Sequence, residues 1–133
     1  MPRKSLVVAM VTTFSVFAAA APPFSIVGTW SGVANQTAVV LVVTAQETTA
    51  AACKRIIGNL HNLPSGGASN IQGFYCPATG RIGLLRKNVT NNDTFQSYSG
   101  NIGDTATTLR MTGVFAEFNL AGHLGEYNFS LTK

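Results

Sequence analysis

Apolar and polar residues alternate with a period of two along most of the chain from residue 26 onward, and turn residues interrupt the alternation at short intervals. In one segment, Leu109, Met111 and Phe115 fall on one face, and the other face carries Arg110, Thr112, Val114 and Ala116. This period is typical of strands with one buried face. The pattern predicts strands near 26–33, 38–46, 54–61, 70–77, 81–88, 95–102, 108–118 and 125–133.

The second predicted strand differs from the others, because Val39 to Val43 is apolar on both faces. Burial of both faces indicates a packed neighbour outside the sheet or a homo-oligomer. The alternative is a strand at the sheet edge that a loop covers. The sequence leaves both interpretations open.

Glycine recurs inside the predicted strands, where it weakens pairing by about 0.5–1 kcal/mol relative to alanine. Sharp curvature of the sheet explains why such a cost is tolerated, and the short connections favour antiparallel up-and-down order. We therefore predict an all-β fold, an eight-stranded antiparallel up-and-down β-barrel. The glycines concerned are Gly28, Gly32, Gly58, Gly73, Gly83, Gly100 and Gly113.

The first 21 residues resemble a secretory leader, since Arg3 and Lys4 precede an apolar run from Leu6 to Ala21 that ends in four alanines. A retained membrane anchor is the alternative, but hydroxyl residues interrupt the run and it falls short of the roughly 20 residues that span a bilayer. We predict a signal peptide over 1–21 and one barrel domain over 22–133. The protein is then secreted or periplasmic, with no membrane attachment after cleavage.

Charge argues against nucleic-acid binding. Because Arg3 and Lys4 belong to the leader, its removal lowers the formal net charge from +4 to +2. The remaining basic residues are scattered, with no run or stripe of the kind that contacts phosphates. The sequence predicts no nucleic-acid partner.

Cys53 and Cys76 are the only cysteines. In an oxidising compartment a single pair tends to be joined, so we expect one disulfide between them. Two free buried thiols are the alternative. His61 and His123 lie far from any C-x-x-C pattern, so the sequence predicts no metal site and no cofactor.

Catalytic patterns are weak. Glu117 and Glu126 flank the last predicted hairpin and can face one another there, but such a pair is more often solvated than catalytic. No serine lies in a G-x-S-x-G turn. The sequence therefore predicts a protein that is not an enzyme.

Three short motifs resemble the calycin superfamily, which includes lipocalins and avidins. Gly28-Thr29-Trp30 resembles the first-strand motif whose tryptophan plugs one end of the barrel. Ser97-Tyr98-Ser99-Gly100 is similar to the avidin Thr-Trp-Ser-Gly strand, and Leu131-Thr132-Lys133 to the avidin Phe-Thr-Lys terminus. The resemblance implies an avidin-like barrel in which Trp30 is buried near one end and Lys133 covers its ring by a cation–π contact.

The chain departs from avidins at the biotin-contacting positions. Ser31-Gly32 stands in place of their asparagine, Leu60 lies in the strand that carries their tyrosine, and Phe129 is nearest to their aspartate. Trp30 is the only tryptophan, where avidins use several. A buried polar ligand group left unpaired costs about 1–3 kcal/mol, so we expect a ligand other than biotin and more apolar than it.

Two function classes follow. The first is a binding protein for a small, partly apolar ligand. The second is a rigid scaffold whose loops engage a protein partner. An interior cavity of about 300 Å³ or more favours the first, and a barrel filled by its own side chains favours the second. The candidate ligand-lining residues are Trp30, Tyr75, Gln96, Tyr98, Met111, Phe115 and Phe129.

Overall fold

The computed structural model describes residues 22–64, 67–87, 94–105 and 108–133, with the side chains of 104 and 105 outside that set. The predicted leader lies outside the described residues. Within those ranges, no helix is long and apolar enough to span a membrane. The strands are β1 (Gly28–Ala34), β2 (Thr37–Gln46), β3 (Lys54–Asn62), β4 (Ala68–Cys76), β5 (Arg81–Lys87), β6 (Phe95–Thr105), β7 (Thr108–Asn119) and β8 (Gly122–Thr132).

Each strand pairs antiparallel with the next, and β1 also pairs with β8, so the sheet is a closed barrel. The predicted eight-stranded up-and-down barrel is confirmed. Several strands extend beyond their predicted bounds, because tight hairpins continue the pairing up to the turn. The clearest case is β8, which begins at Gly122 directly after the turn from β7, and Gly122 has the positive φ of 123° that glycine adopts freely.

The alternation seen in the sequence separates the interior from the exterior. Met111 and Phe115 of β7 point inward and are buried, as predicted, and Phe129 and Leu131 of β8 meet them in the core. The largest fully buried side chains are Trp30, Tyr75, Ile26, Leu41, Ile56, Ile82, Met111 and Val43. One continuous apolar core therefore fills most of the barrel.

Inward-facing glycines allow neighbouring strands to approach closely. A Cβ atom at Gly73 would lie 1.9 Å from the carbonyl oxygen of Gly83, and one at Gly113 would lie 2.1 Å from that of Ser99. No side chain fits at such distances. Close backbone approach explains five of the seven glycines named above, because a Cβ at Gly28 or Gly83 would instead meet the side chain of Lys133 or Phe74. The five are Gly32, Gly58, Gly73, Gly100 and Gly113.

The second strand has neighbours on both sides, since β2 pairs with β1 and with β3. The interpretation of β2 as an edge strand is therefore wrong, because a closed barrel has no edge. Val40 and Val42 lie on the outer wall and are partly exposed. A packed neighbour or an oligomer on this face stays a prediction.

The chain segment before β1 closes one end of the barrel. The Trp30 ring is fully buried, and its Nε1 donates a hydrogen bond of 2.9 Å to the carbonyl oxygen of Ile26. The Gln46 amide holds the same segment, accepting from the Ile26 backbone N–H and donating to the Phe24 carbonyl oxygen. The Tyr75 hydroxyl donates to the carbonyl oxygen of Pro23. The predicted position of Trp30 is confirmed.

Lys133 does not take the position predicted for it. Its ammonium group donates to the carbonyl oxygen of Val27, and its side chain lies against Gly28. No cation–π contact between Lys133 and the Trp30 ring occurs among the described residues, and the contacts of this lysine are with Val27 and Gly28 instead. Lys133 thus fastens the C-terminus to the start of β1.

The predicted disulfide joins Cys53, just before β3, to Cys76 at the end of β4. Their Cα atoms are 4.1 Å apart. The bond fastens the long connection between β2 and β3 to the wall of the barrel at its closed end.

We expect the unreduced protein to be about 2 Da lighter than the reduced protein, because oxidation removes two hydrogens. Changing both Cys53 and Cys76 to Ser is expected to lower the free energy of unfolding by about 3 kcal/mol through the entropy of the opened loop. Intact mass spectrometry and urea unfolding measure the two effects. Two titratable thiols in the native, unreduced protein would contradict the assignment.

Gly113→Ala is expected to lower the free energy of unfolding by about 1–3 kcal/mol, because the new Cβ has no room beside the Ser99 backbone. Gly103→Ala is the matched control, since nothing lies within 4 Å of a Cβ there. Its effect should stay within about 0.5 kcal/mol. Equal losses in the two variants would show that close strand approach is not what requires Gly113.

Candidate ligand-binding site

A cavity of about 100 Å³ opens at the end of the barrel opposite Trp30. We call it the mouth cavity. Strands β1, β3, β5 and β7 end at this end of the barrel. Its lining residues are Ala34, Asn35, Thr37, Val39, Asn62, Arg86, Gln96, Tyr98, Phe115, Glu117 and Tyr127.

Alternation along the strands places charged side chains in the mouth cavity. Arg86 follows the buried Leu84 by two positions, and Glu117 follows the buried Phe115 by two positions, so both charged residues point inward. Both lie close to a strand end and are half-buried. Water at the mouth lowers the cost of holding these charges inside the barrel.

The side chain of Gln96 connects the polar groups of the cavity. Its Oε1 accepts hydrogen bonds from Arg86 Nη1 at 3.2 Å and from the Tyr98 hydroxyl at 2.8 Å. Its Nε2 donates to Glu117 Oε1 at 3.4 Å. Arg86 Nη1 also donates to Asn62 Oδ1 at 3.1 Å. The network joins four strands, β3, β5, β6 and β7, across the barrel.

Aromatic rings form the lower wall of the mouth cavity. Tyr98 and Phe115 stack with their ring centroids 4.7 Å apart, and Phe115 contacts Tyr127 at 5.3 Å. Phe129 meets Tyr98 edge to face at 5.3 Å from below. The cavity therefore presents a hydrogen-bonding side and an aromatic side to anything that enters it.

Two tyrosines have raised pKa values. Burial raises the pKa of Tyr75 to about 12. Burial also raises the pKa of Tyr98, and the negative charge of Glu117 adds to this effect, while the Arg86 guanidinium opposes it. Both hydroxyls are therefore protonated donors at neutral pH.

Structures of known proteins share this architecture. Apo shwanavidin matches with a TM-score of 0.58 at 15% identity, over 80% of this chain and 99% of that one. A low-affinity shwanavidin mutant matches with a TM-score of 0.59 at 16% identity, over 82% of this chain and 98% of that one. Apo short afifavidin matches with a TM-score of 0.53 at 16% identity, over 81% of this chain and 96% of that one. The chain has an avidin-like fold. No family model matches it, and no curated protein does.

The avidin-like barrel brings three of the predicted ligand-lining residues together. Gln96, Tyr98 and Phe115 line the mouth cavity, and Phe129 lies directly beneath Tyr98. Trp30, Tyr75 and Met111 are fully buried in the core and do not line this cavity. The role of all seven in ligand binding stays a prediction.

Sequence reasoning missed part of the cavity wall, namely Asn62, Arg86 and Glu117 as ligand-facing residues. A charged residue at an inward position near a strand end was the signal that could have identified two of them. Glu117 and Glu126 do not face one another, because Glu117 points inward and is paired with Gly125, while Glu126 lies on the exposed outer wall. The two carboxylates therefore do not form the facing pair that the sequence allowed.

The volume of the mouth cavity limits what can bind. It is about 100 Å³, below the roughly 300 Å³ of a typical small-molecule pocket. A larger groove of about 330 Å³ lies over the outward faces of β4, β5 and β6, with Phe74 and Leu85 among its walls, and is open to solvent. The interior cavity therefore falls short of the volume that favours a ligand-binding protein over a scaffold. It has room only for a small molecule or for the head of a longer one.

No group of three or more His, Cys, Asp or Glu residues that could hold a metal ion occurs within the described ranges. His123 contacts the ring of Phe118 on the outer side of the mouth. The polar groups of the cavity are one guanidinium, one carboxylate, amides and tyrosine hydroxyls. They suit an organic ligand that both donates and accepts hydrogen bonds, so the expectation of a ligand more apolar than biotin does not fit this cavity.

The raised tyrosine pKa values predict a loss of stability in alkali. The unfolded chain releases the Tyr75 proton near the ordinary pKa of 10.0, whereas the folded chain holds it to about 12. The contribution of Tyr75 to the free energy of unfolding should therefore be constant below about pH 10 and be lost as the pH rises from about 10 to 12. Unfolding in urea at several pH values, with Tyr75→Phe for comparison, measures this. If the free energy of unfolding falls equally between about pH 10 and 12 in the wild type and in Tyr75→Phe, the prediction is contradicted.

Proposed function

We propose that this chain is an exported binding protein that holds a small, partly apolar ligand other than biotin in the mouth cavity. The observation that carries the proposal is the pairing of a polar network with an aromatic wall in one concave site. Apo and low-affinity forms of shwanavidin mark that protein as a ligand binder. The shared barrel supports a binding role here rather than catalysis.

Ligand orientation follows from the two sides of the cavity. A hydrogen-bonding head fits against Gln96 and Arg86, and an apolar part lies on the ring of Phe115. The positions at which avidins contact biotin are held here by Gly32, by Leu60 and by Phe129. The last two are buried apolar side chains, so the partners of a biotin head are missing.

Export rests on the leader and on the disulfide. Arg3 and Lys4 followed by an apolar run support a cleaved signal peptide. The Cys53–Cys76 bond suits an oxidising compartment. We propose a secreted or periplasmic location on these grounds.

Benzamide is a suitable first probe, because its ring matches the aromatic wall and its carboxamide matches the polar network. We expect benzamide to shift amide NMR signals around the mouth cavity, and Gln96→Leu to weaken its binding about tenfold through lost hydrogen bonds. Gln72→Leu, on the exposed outer wall, is the matched control and should bind as the wild type does. Protein expressed from the full chain in a secreting host is used throughout.

Biotin-agarose should not retain the protein. Retention that free biotin competes away would overturn the exclusion of biotin. Benzamide shifts that lie outside the mouth, or that survive Gln96→Leu unchanged, would count against the mouth cavity as the binding site.

A second function, engagement of a protein partner, has its own support at the rim. Leu120 is 84% exposed and Leu124 is 52% exposed on the β7–β8 hairpin. Phe95 and Phe118 stack beside it with centroids 5.1 Å apart. Exposed apolar side chains in one place are typical of contact surfaces. Loss of partner capture in Leu120→Ser, with benzamide binding unchanged, would favour this function.

A further inference from the structure

Two opposite charges face the mouth cavity, and a neutral amide lies between them. Gln96 accepts from Arg86 at 3.2 Å through its oxygen and donates to Glu117 at 3.4 Å through its nitrogen. No ion pair joins Arg86 to Glu117. Both side chains are half-buried, where an unpaired charge is less well solvated than in bulk water. The site thus holds a positive and a negative group, each open to a charged partner.

Both charged groups have hydrogen-bonding capacity to spare. Arg86 Nη1 donates to the neutral amide oxygens of Asn62 and Gln96. The guanidinium also lies close enough to the Tyr98 hydroxyl to lower the pKa of that group. Its Nη2 and Nε carry further N–H groups in the planar fork that binds carboxylates in pairs. Glu117 accepts from Gln96 through Oε1, and a carboxylate can accept several more bonds.

The spacing of the two charges suits a short zwitterion. One amide group with a hydrogen bond on either side separates Arg86 from Glu117. In an α-amino acid a single carbon separates the carboxylate from the ammonium group. With one hydrogen bond to each protein charge, the head of such a molecule spans a distance similar to the one that the Gln96 amide spans. The head also fits a cavity of about 100 Å³.

We propose that the mouth cavity recognises the head of a free α-amino acid, an inference that rests on the proposed function. The carboxylate binds the guanidinium of Arg86, and the ammonium group binds the carboxylate of Glu117. The side chain of the ligand lies on the aromatic wall formed by Phe115 and Tyr127. An apolar side chain suits that wall, because burying aliphatic surface against rings is favourable.

This arrangement gives selectivity against related molecules. A plain carboxylic acid leaves Glu117 without its cation and brings a second negative charge into the cavity. A plain amine leaves Arg86 without its anion and brings a second positive charge into the cavity. A peptide bond at either end of the amino acid removes one charge, so the site discriminates a free amino acid from residues within a protein chain.

Four ligands with one side chain test the proposal on the unaltered protein. L-leucine carries both charges, and N-acetyl-L-leucine carries only the negative charge. L-leucinamide carries only the positive charge, and N-acetyl-L-leucinamide carries neither. Titration calorimetry or NMR titration gives their affinities. We expect L-leucine to bind at least about tenfold more tightly than each of the other three, as charge-assisted hydrogen bonds at both ends require.

Two substitutions assign each end of the ligand. Arg86→Gln should weaken L-leucine and N-acetyl-L-leucine by about tenfold. It should not weaken L-leucinamide, because the variant removes a like charge that repels this ligand. Glu117→Gln should weaken L-leucine and L-leucinamide, and for the same reason it should not weaken N-acetyl-L-leucine. Arg110→Gln and Glu126→Gln, both on the exposed outer wall, are the matched controls and should bind all four ligands as the wild type does.

Equal binding of L-leucine and N-acetyl-L-leucinamide, or of L-leucine and either singly charged ligand, would overturn the inference. Because the ligand series needs no altered protein, a variant that fails to fold does not affect this outcome. If benzamide binds at the mouth and L-leucine does not, the proposed function stands and the amino-acid inference fails. If neither binds, the proposed function fails as well.

Discussion

Pairing of the first and last strands is the contact on which the rest of the structure depends. It joins Ser31–Ala34 of β1 to Phe129–Thr132 of β8, and it turns an open meander into a barrel. Without it, the inward faces of both strands would meet water, and Phe129 would lose the enclosure that holds it against Tyr98. Gly32 makes this approach possible, because a Cβ there would lie 2.0 Å from the Ser130 carbonyl oxygen.

The two ends of the barrel differ because the chain uses its residues differently at each. At the closed end, residues before β1 bind the Trp30 ring and the Gln46 amide, so buried polar groups find partners within the protein. At the mouth, Arg86 and Glu117 are placed inward, and the Gln96 amide only partly satisfies them. This unused hydrogen-bonding capacity at the mouth is the reason for which we propose that end as the binding site.

The sequence predicted the strands well, because a period of two is a local property that one strand displays by itself. Burial of Met111, of Phe115 and of Trp30 followed from the same pattern. The single pair of cysteines left one possible partner for each.

The mouth cavity was harder to predict, because its walls come from strands far apart in the chain. Asn62, Arg86 and Glu117 meet only when the register of each strand pair is known, and alternation does not give register. Comparison with avidins directed attention to the positions that contact biotin, and the charged residues of this chain lie elsewhere. The contact of Lys133 with the Val27 carbonyl oxygen was not predicted, because a short motif does not encode the contacts of its side chains.

Pro22, the first described residue, and Lys133 lie on the same side of the barrel. Pro22 lies beside Gly80 in the β4–β5 turn, and Lys133 is fastened to the start of β1. The mouth cavity is at the opposite pole. Attachment of the protein to a solid support through either terminus would therefore point the cavity toward the solution, and a fused domain at either terminus would leave it uncovered.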